Sequence, residues 1–199
     1  MWGVVLAAGR GRRFGGHKLL VPFRGAPLAT HAFRATAEAV ASGVLGGAVV
    51  VCAAGDQEVK SLAWAAGLDT VEHSGTTMAT SLQAGLSWLA SRADPPEGAM
   101  IILGDQPLVR PEHLRAVLAS AAESTAPICR PRYLATPASP GHPVLLRRSA
   151  WAAMAAVDGD HGLRDLIAAG GIELHLCDLP GSCPDIDTPD DLIVLEATR

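Results

Sequence analysis

The sequence lacks several features that would assign it to common classes of protein. No apolar run reaches the roughly 20 residues that a membrane-spanning helix needs, and the opening residues 1–6 have no basic segment of the kind that begins a signal peptide. None of the four cysteines forms a Cys-x-x-Cys pair, and no histidine cluster stands beside them at zinc spacing. We therefore expect a cytoplasmic protein, not bound to a membrane, with buried free thiols.

Residues 1–37 contain no acidic residue, and the first in the chain is Glu38. Residues 1–37 carry a formal charge of +6, although the whole chain carries −4. Lysine is also scarce, with two residues against fourteen arginines, which makes Lys18 in this segment conspicuous. A local positive field on a net acidic chain favours a small polyanion as ligand, and nothing in the overall charge indicates a nucleic acid.

Apolar runs typical of strands alternate with helical patterns through the first 120 residues or so. This alternation predicts a three-layer α/β fold, in which a mostly parallel sheet carries helices on both faces. The predicted strands are Trp2–Ala7, Ala48–Cys52, Thr70–Val71 and Met100–Leu103, and the predicted helices are His31–Ser42, Asp56–Ala66, Met78–Leu89 and one beginning at Pro111.

The second half of the chain is less regular, and Thr136–Gly141 has the composition of a loop. No repeat, low-complexity block or long linker interrupts the chain, so we expect a single domain over residues 1–199. The predicted elements here are the strands Val144–Leu146 and Ile172–Cys177 and the helices Ser149–Ala156, Leu163–Ala168 and Pro189–Ala197, the last with Thr188 as a cap.

A loop rich in glycine and arginine, residues 9–18, follows the first predicted strand directly. Ligands of open parallel sheets bind beyond the carboxyl ends of the strands, and glycine lets backbone N–H groups approach an anion. The loop is not a Walker A loop, because His17 stands before Lys18 and Leu19 replaces the hydroxyl residue. Its glycine spacing also fails the dinucleotide fingerprint, and no acid precedes Glu38. We predict that this loop binds the triphosphate of a nucleotide.

Carboxylates at two places in the chain are candidate metal ligands. Asp105 directly follows the apolar run Met100–Leu103, so it should lie at the carboxyl end of a strand. Asp185 and Asp187 alternate near the C-terminus and would share one face of an extended segment. Two such carboxylates, with triphosphate oxygens and water, are a normal set of magnesium ligands. Whether Asp185 or Asp187 is the second ligand stays open at this point.

Several motifs occur in order along the chain. They are Leu-Ala-Ala-Gly-x-Gly-x-Arg-x-Gly-x-x-Lys-Leu from Leu6, Gly-Asp-Gln-Pro from Gly104, Gly-His-Pro from Gly141 and Asp-Ile-Asp-Thr-Pro-Asp-Asp-Leu from Asp185. Together they resemble the MobA-like nucleotidyltransferases, and most closely the branch of molybdenum cofactor cytidylyltransferases (MocA-like). The segments Thr77–Leu86 and Gly159–Arg164 also resemble that branch, so the resemblance spans nearly the whole chain.

The resemblance implies a Rossmann-like nucleotidyltransferase (GT-A-like) fold with a nucleotide-binding half at about 1–110 and an acceptor-binding half at about 111–199. It implies Mg²⁺ as cofactor, CTP or another nucleoside triphosphate as substrate, molybdopterin or molybdenum cofactor as phosphorylated acceptor, and a molybdoenzyme or its chaperone as a partner. The residues implied are Arg13, Lys18 and Asp105 for catalysis; Asp105 and Asp187 for the metal; Leu6, Ala7, Ala8, Gly9, Arg10, Gly11, Arg13, Lys18, Gly75, Ser81 and Gly104 for the nucleotide; and His142, Asp160 and Arg164 for the acceptor.

Some positions bear on the choice of branch. Ala8 and Gln106 match the cytidylyl branch, whereas the guanylyl branch tends to have Gly and Met there. Gly11 stands where the cytidylyl branch usually has serine, Phe14 where it usually has methionine, and Thr77 replaces a glycine often found before Met78.

The implied reaction is attack of an acceptor phosphate oxygen on the α-phosphorus of the nucleotide, with loss of pyrophosphate. Such a nucleophile is already anionic, and the sequence offers no persuasive catalytic triad or dyad to serve as a general base. Two other hypotheses remain: the same chemistry with another acceptor or with GTP, and a non-catalytic protein of the same fold that hands a cofactor to a partner. A dinucleotide-dependent oxidoreductase fits less well, because the fingerprint fails.

Overall fold

The computed structural model describes residues 1–9, 11, 14–137, 141–155 and 171–197. Two short 3-10 helices cover Lys18–Leu20 and Arg148–Ala150. The strands of the described residues are β1 (Trp2–Ala7), β2 (Pro22–Phe23), β3 (Ala26–Pro27), β4 (Ala48–Ala53), β5 (Asp69–His73), β6 (Gly98–Leu103), β7 (Ile128–Tyr133), β8 (Val144–Arg147) and β9 (Leu174–Leu179). The α-helices are α1 (Leu28–Ala41), α2 (Gln57–Ala65), α3 (Met78–Ala90), α4 (Pro111–Ala122), α5 (Trp151–Ala155) and α6 (Pro189–Ala197).

Seven strands form one sheet in the order β5-β4-β1-β6-β8-β7-β9. β1 pairs in parallel with both β4 and β6, β4 pairs in parallel with β5, and β7 pairs in parallel with β9. β8 runs antiparallel to β6 and β7. The predicted mostly parallel α/β fold is therefore confirmed. Because β1 and β6 are neighbours, the loops that follow them meet at the same edge of the sheet.

Helices on both faces of the sheet bury its side chains in two cores. On one face α1, α2 and α4 pack against strand residues such as Val50, Met100 and Leu145. On the other face α3 and α5 pack against residues such as Val4 and Ile101. Each such fully buried aliphatic side chain contributes about 1.5–3 kcal/mol relative to an exposed one. A smaller third cluster joins the last helix to the start of the first, through Phe23, Leu28, Ile186 and Leu195.

Most predicted elements are present, with some boundaries corrected. α1 begins at Leu28 rather than His31, since Pro27 can precede a helix but cannot continue one from within. β5 is longer than the predicted Thr70–Val71, and β9 begins and ends two residues later than the predicted strand. The sequence does not predict the β2–β3 hairpin or β7. The helix predicted over Leu163–Ala168 lies outside the described residues. Within the part of the chain that the structure describes, no helix is long and apolar enough to cross a membrane.

Helix α3 lies unusually close to the centre of the sheet, and Gly85 is the residue that permits this approach. A Cβ atom at Gly85 would stand 2.5 Å from Cγ1 of Val4 in β1 and 3.0 Å from Cγ2 of Val51 in β4. Valine side chains are stiff and these two are buried, so neither can move aside cheaply. The glycine thereby lets α3 pack closely on β1 and β4.

We predict that Gly85→Leu lowers the free energy of unfolding by at least about 2 kcal/mol, because it overpacks the contact between α3 and β1. Urea denaturation of the purified protein measures the change. The matched control is Ser87→Leu, which adds the same side chain on an exposed position of the same helix and should change stability by less than about 0.5 kcal/mol. Equal effects of the two substitutions would contradict the close approach.

Candidate active site

In the described part of the loop after β1, the backbone of Gly11 lies close to Gly16 and Lys18. Gly11 has φ +56, and a Cβ atom there would stand 2.3 Å from the carbonyl oxygen of Gly16 and 2.9 Å from Cβ of Lys18. Its own carbonyl accepts hydrogen bonds from the backbone N–H groups of Phe14 and Gly16, at 2.9 and 3.3 Å. Glycine at position 11, where the cytidylyl branch usually has serine, is therefore required by this backbone. Arg10, Arg12 and Arg13 lie outside the described residues.

Asp105 lies directly beyond β6, beside the end of β1. The backbone N–H of Gly104 donates to the carbonyl of Leu6 at 2.9 Å, which joins the two strand ends. The backbone N–H of Ile186 donates to the carbonyl of Asp105 at 3.0 Å, so the C-terminal acidic segment is tied to the same point. These bonds bring together three regions that are remote in sequence: the end of β1, the loop after β6 and the C-terminal segment at Ile186.

Gln106 reinforces this tie. Its side chain is almost fully buried, and its Nε2 donates to the carbonyl of Cys183 at 3.0 Å. The amide therefore holds the segment that carries Asp185 and Asp187 against the loop after β6. Gln106 therefore has a structural role in this fold, which its resemblance to the cytidylyl branch does not indicate.

One ammonium group bridges two carboxylates at the centre of the site. Nζ of Lys18 lies 2.7 Å from Oδ2 of Asp105 and 3.2 Å from Oδ1 of Asp187. The Lys18 side chain is 9% exposed, Asp105 is 21% exposed and Asp187 is 44% exposed. The pairs span 87 and 169 residues of sequence. The structure thus brings together Lys18, Asp105 and Asp187, three of the residues that the sequence predicts.

Asp187 rather than Asp185 contacts Lys18, and the reason lies in the cap of α6. The side chain of Asp191 accepts hydrogen bonds from the backbone N–H groups of Asp187 and Thr188, at 3.0 and 2.7 Å. Thr188 Oγ1 accepts in return from the N–H of Asp191 at 3.3 Å, which makes Thr188 the predicted cap. These bonds fix the backbone at Asp187 and also lower the pKa of Asp191, first through the hydroxyl of Thr188.

Among the described residues of this cluster, negative groups outnumber positive ones, because the single ammonium of Lys18 contacts the carboxylates of both Asp105 and Asp187. Burial acts to lower the pKa of Lys18, but the attraction of Asp105 and hydrogen bonds to Asp105 and Asp187 outweigh it and raise that pKa. Burial raises the pKa of Asp105 against the opposing effect of Lys18, and the charges of Asp185 and Asp187 add to the increase. The increase for Lys18 reflects its two carboxylate neighbours, whereas the increase for Asp105 is mainly an effect of burial.

The carboxylates fit a divalent cation. Oδ1 of Asp105 is buried and accepts no hydrogen bond from any residue that the structure describes, so this oxygen has capacity for another ligand. Oxygen ligands from one or two carboxylates, completed by substrate phosphates and water, are what Mg²⁺ prefers. Among the described residues no group of three or more His, Cys, Asp and Glu side chains could hold a metal ion. The described residues therefore supply only part of a coordination shell, and Asp105 and Asp187 are the candidate donors among them.

A hydrogen-bonded relay that the sequence does not predict fixes the loop between β5 and α3. The backbone N–H of Gly75 donates to Nδ1 of His73 at 3.1 Å, so Nε2 of that imidazole carries the proton. Nε2 then donates to Oγ of Ser81 at 2.9 Å, and Ser81 donates to the carbonyl of Thr77 at 3.1 Å. The relay joins Gly75 and Ser81, both predicted nucleotide ligands, to the end of β5. A histidine at a strand end, two residues before a glycine, is the sequence signal that reveals it.

The predicted acceptor side is described only in part. Asp160 and Arg164 lie outside the described residues. The hydroxyl of Tyr133 donates to the carbonyl of His142 at 2.8 Å, and the Arg130 guanidinium donates to the carbonyl of Gly141. Burial, with a smaller effect of Arg130, lowers the pKa of His142 to about 3. The imidazole is therefore neutral at physiological pH.

Comparison with protein families gives one match that covers most of the chain. Residues 3–175 match the model of the MobA-like NTP transferase domain. No curated protein sequence matches significantly.

Solved structures give similar chains over the full length. Rv0371c from Mycobacterium tuberculosis H37Rv is 27% identical, with a TM-score of 0.82 over 100% of this chain and 99% of that one. A second structure of Rv0371c, described as a complex with manganese, is 25% identical, with a TM-score of 0.77 over 99% and 97% of the two chains. The Rv0371c homolog from Mycobacterium sp. strain JC1 is 29% identical, with a TM-score of 0.80 over 99% and 95%.

The relay through His73 predicts a pH dependence of stability. Burial lowers the pKa of His73 in the folded protein, and protonation of Nδ1 would oppose the donor of Gly75. The neutral imidazole therefore contributes stability that is fully present above pH 6.5 and is lost as the pH falls toward the lower pKa of the fold. We predict that His73→Gln, which cannot be protonated and retains a donor for Ser81, loses less stability than the wild type between pH 7 and pH 5.

Denaturation midpoints at both pH values measure this difference. The exposed His17 provides the control: His17→Gln should follow the wild type. Parallel losses in wild type and His73→Gln would show that His73 does not titrate within the relay.

Proposed function

The chain belongs to the MobA-like NTP transferases, and we propose that within this family it is a magnesium-dependent cytidylyltransferase. It transfers CMP from CTP to a phosphorylated acceptor of the molybdopterin class and releases pyrophosphate. The observation that carries the proposal is the cluster of Lys18, Asp105 and Asp187 beyond the neighbouring strands β1 and β6. One cation and two carboxylates at that edge suit a triphosphate and its metal ion.

The residues divide between the two partners of the reaction. Residues 1–110 or so would hold the nucleotide, with Leu6 to Gly11, Gly75, Ser81 and Gly104 as its contacts. Residues from about 111 onward would hold the acceptor, with His142, Asp160 and Arg164 among its ligands. We expect the reaction to take place in the cytoplasm, and a molybdoenzyme or its chaperone is the expected recipient of the product.

The chemistry is an in-line displacement at the α-phosphorus. A phosphate oxygen of the acceptor forms a bond to that phosphorus, and the bond to the bridging oxygen of pyrophosphate breaks. Because the attacking oxygen is already anionic, no side chain has to remove a proton. The chain's contribution is to orient the triphosphate and to neutralise charge on the leaving group, through Lys18, Arg13 and the N–H groups of the glycine-rich loop.

Asp105 and Asp187 are the proposed metal ligands. A magnesium ion held there supplies further neutralisation of the triphosphate charge. Oδ1 of Asp105, which is buried and has no hydrogen-bond partner among the described residues, supports this assignment, as does the crystal structure of the similar protein Rv0371c in complex with manganese.

Two residues support the choice of CTP. Ala8 and Gln106 are the residue types that the cytidylyl branch has at these motif positions. Ala8 is 9% exposed and directly follows β1, at the position where the base and ribose are expected to lie. We therefore expect CTP to be preferred over GTP.

We predict that the purified protein, with Mg²⁺ and molybdenum cofactor, releases pyrophosphate from CTP at least about tenfold faster than from GTP, ATP or UTP. A coupled pyrophosphate assay with each nucleotide measures the preference. A faster reaction with GTP would contradict the base assignment alone. No turnover with any nucleotide, across several phosphorylated acceptors, would contradict an enzymatic role and favour the cofactor-handing protein.

We also predict that Asp105→Asn lowers kcat by about 100-fold or more, because the metal loses a charged ligand. The matched control is Asp69→Asn, since Asp69 is exposed at the start of β5, at the opposite edge of the sheet. This control should keep its kcat within a few-fold of the wild type. A kcat of Asp105→Asn that stays within a few-fold as well would show that Asp105 does not bind the metal.

A further inference from the structure

We infer that Lys18 acts as a stand-in cation for the metal: it neutralises Asp105 and Asp187 before nucleotide binds and transfers to the triphosphate when nucleotide arrives. The inference rests on the proposed function and adds an order of events to it. Metal alone is excluded by the lysine, so metal and nucleotide enter together.

The first argument is that Lys18 and a metal ion would use the same carboxylates. Nζ of Lys18 lies 2.7 Å from Oδ2 of Asp105 and 3.2 Å from Oδ1 of Asp187, and these two side chains are the proposed metal ligands. A magnesium ion binds carboxylate oxygens at about 2.0–2.1 Å. An ammonium and a divalent cation held by the same two groups would therefore lie close together in a poorly solvated place, where their repulsion is strong.

The second argument is that the cluster needs a cation at all times. Asp105 is mostly buried, and an unpaired buried carboxylate is costly. Lys18 meets this need only incompletely, because Oδ1 of Asp105 remains buried without a hydrogen-bond partner within the described part of the chain. A metal ion can satisfy both carboxylates better than the lysine does, provided that Lys18 acquires another anion.

The third argument is that a nucleoside triphosphate provides that anion. Its phosphates carry several negative charges at the edge of the sheet where the loop of residues 9–18 ends in Lys18. The lysine stem is flexible, and the ammonium is a point charge that binds phosphate without a fixed geometry. Transfer of Lys18 to the triphosphate would remove its ammonium from Asp105 and Asp187, and the metal that accompanies the nucleotide could then bind these carboxylates.

The alternative is a permanent ion pair, in which Lys18 stays on Asp105 throughout the reaction and other residues bind the triphosphate. The permanent pair and the exchange predict opposite changes in metal affinity, in the presence of nucleotide, when the charge of Lys18 is removed. In a permanent pair, removal of the positive charge helps the metal to bind whether nucleotide is present or not. In the exchange, removal of the Lys18 charge strengthens the binding of metal in the absence of nucleotide. The same removal weakens the binding of metal when nucleotide is present.

The experiment measures Mn²⁺ binding by the loss of the free-ion electron paramagnetic resonance signal. Wild type, Lys18→Met and Lys60→Met are each titrated without nucleotide and with a non-hydrolysable α,β-methylene analogue of CTP. Lys60 pairs with Glu72 and lies over the ring of Trp64 on α2, so Lys60→Met is the matched control for the loss of one lysine charge.

We expect Lys18→Met to bind Mn²⁺ alone at least about tenfold more tightly than wild type, and to bind it at least about tenfold more weakly once the analogue is present. Lys60→Met should match the wild type in both titrations. Lys18→Arg keeps a cation on the carboxylates and should retain the exclusion of Mn²⁺ alone. It also serves as the check if Lys18→Met folds poorly.

Two results would overturn the inference by itself. One is equal affinity of wild type and Lys18→Met for Mn²⁺ alone, and the other is tighter binding by Lys18→Met both with and without the analogue. Failure of the proposed function is a different result: neither the wild type nor any variant would bind Mn²⁺ even with the analogue, and the inference would then fall with the metal site.

Discussion

The ammonium of Lys18 between Asp105 and Asp187 is the contact on which the candidate site depends. It unites three segments that are 87 and 169 residues apart in the chain. Two negative side chains at the edge of a core repel each other and are costly to bury, so they can stand together only with a cation between them. The folded chain supplies that cation from the loop after β1, and the same group is the one that a triphosphate would attract.

The surrounding structure can be understood as the means of holding these three groups in place. Gly11 lets its backbone lie close to Gly16 and Lys18, and Lys18 in turn contacts Asp105. The order of β1 and β6 in the sheet brings Asp105 beside that loop. Gln106 and the backbone of Ile186 tie down the C-terminal segment, and the cap formed by Asp191 fixes the backbone at Asp187. None of these contacts has a proposed role in the reaction, yet together they position Lys18, Asp105 and Asp187.

The sequence predicts the alternation of strands and helices well, because long apolar runs and helical periodicity are local signals. It does not predict β7, whose Arg-Pro-Arg stretch breaks the apolar pattern and whose stability comes from pairing with β8 and β9. The motifs indicate Lys18, Asp105 and the pair Asp185 and Asp187, but alternation alone cannot choose within that pair. The backbone N–H groups of Asp187 and Thr188 donate to the Asp191 carboxylate only in the folded chain, and there it is Asp187 whose carboxylate contacts Lys18.

The sequence does not predict the relay through His73 for a similar reason, since its partners Gly75 and Ser81 meet His73 only when α3 packs on the sheet. The central claim, that Lys18 leaves the carboxylates for the triphosphate, is tested most directly by a crystal structure with Mg²⁺ and a non-hydrolysable CTP analogue. The account predicts Nζ of Lys18 within hydrogen-bonding distance of a phosphate oxygen, and the metal on Asp105 and Asp187. A lysine still paired with Asp105, beside a bound nucleotide, would contradict it.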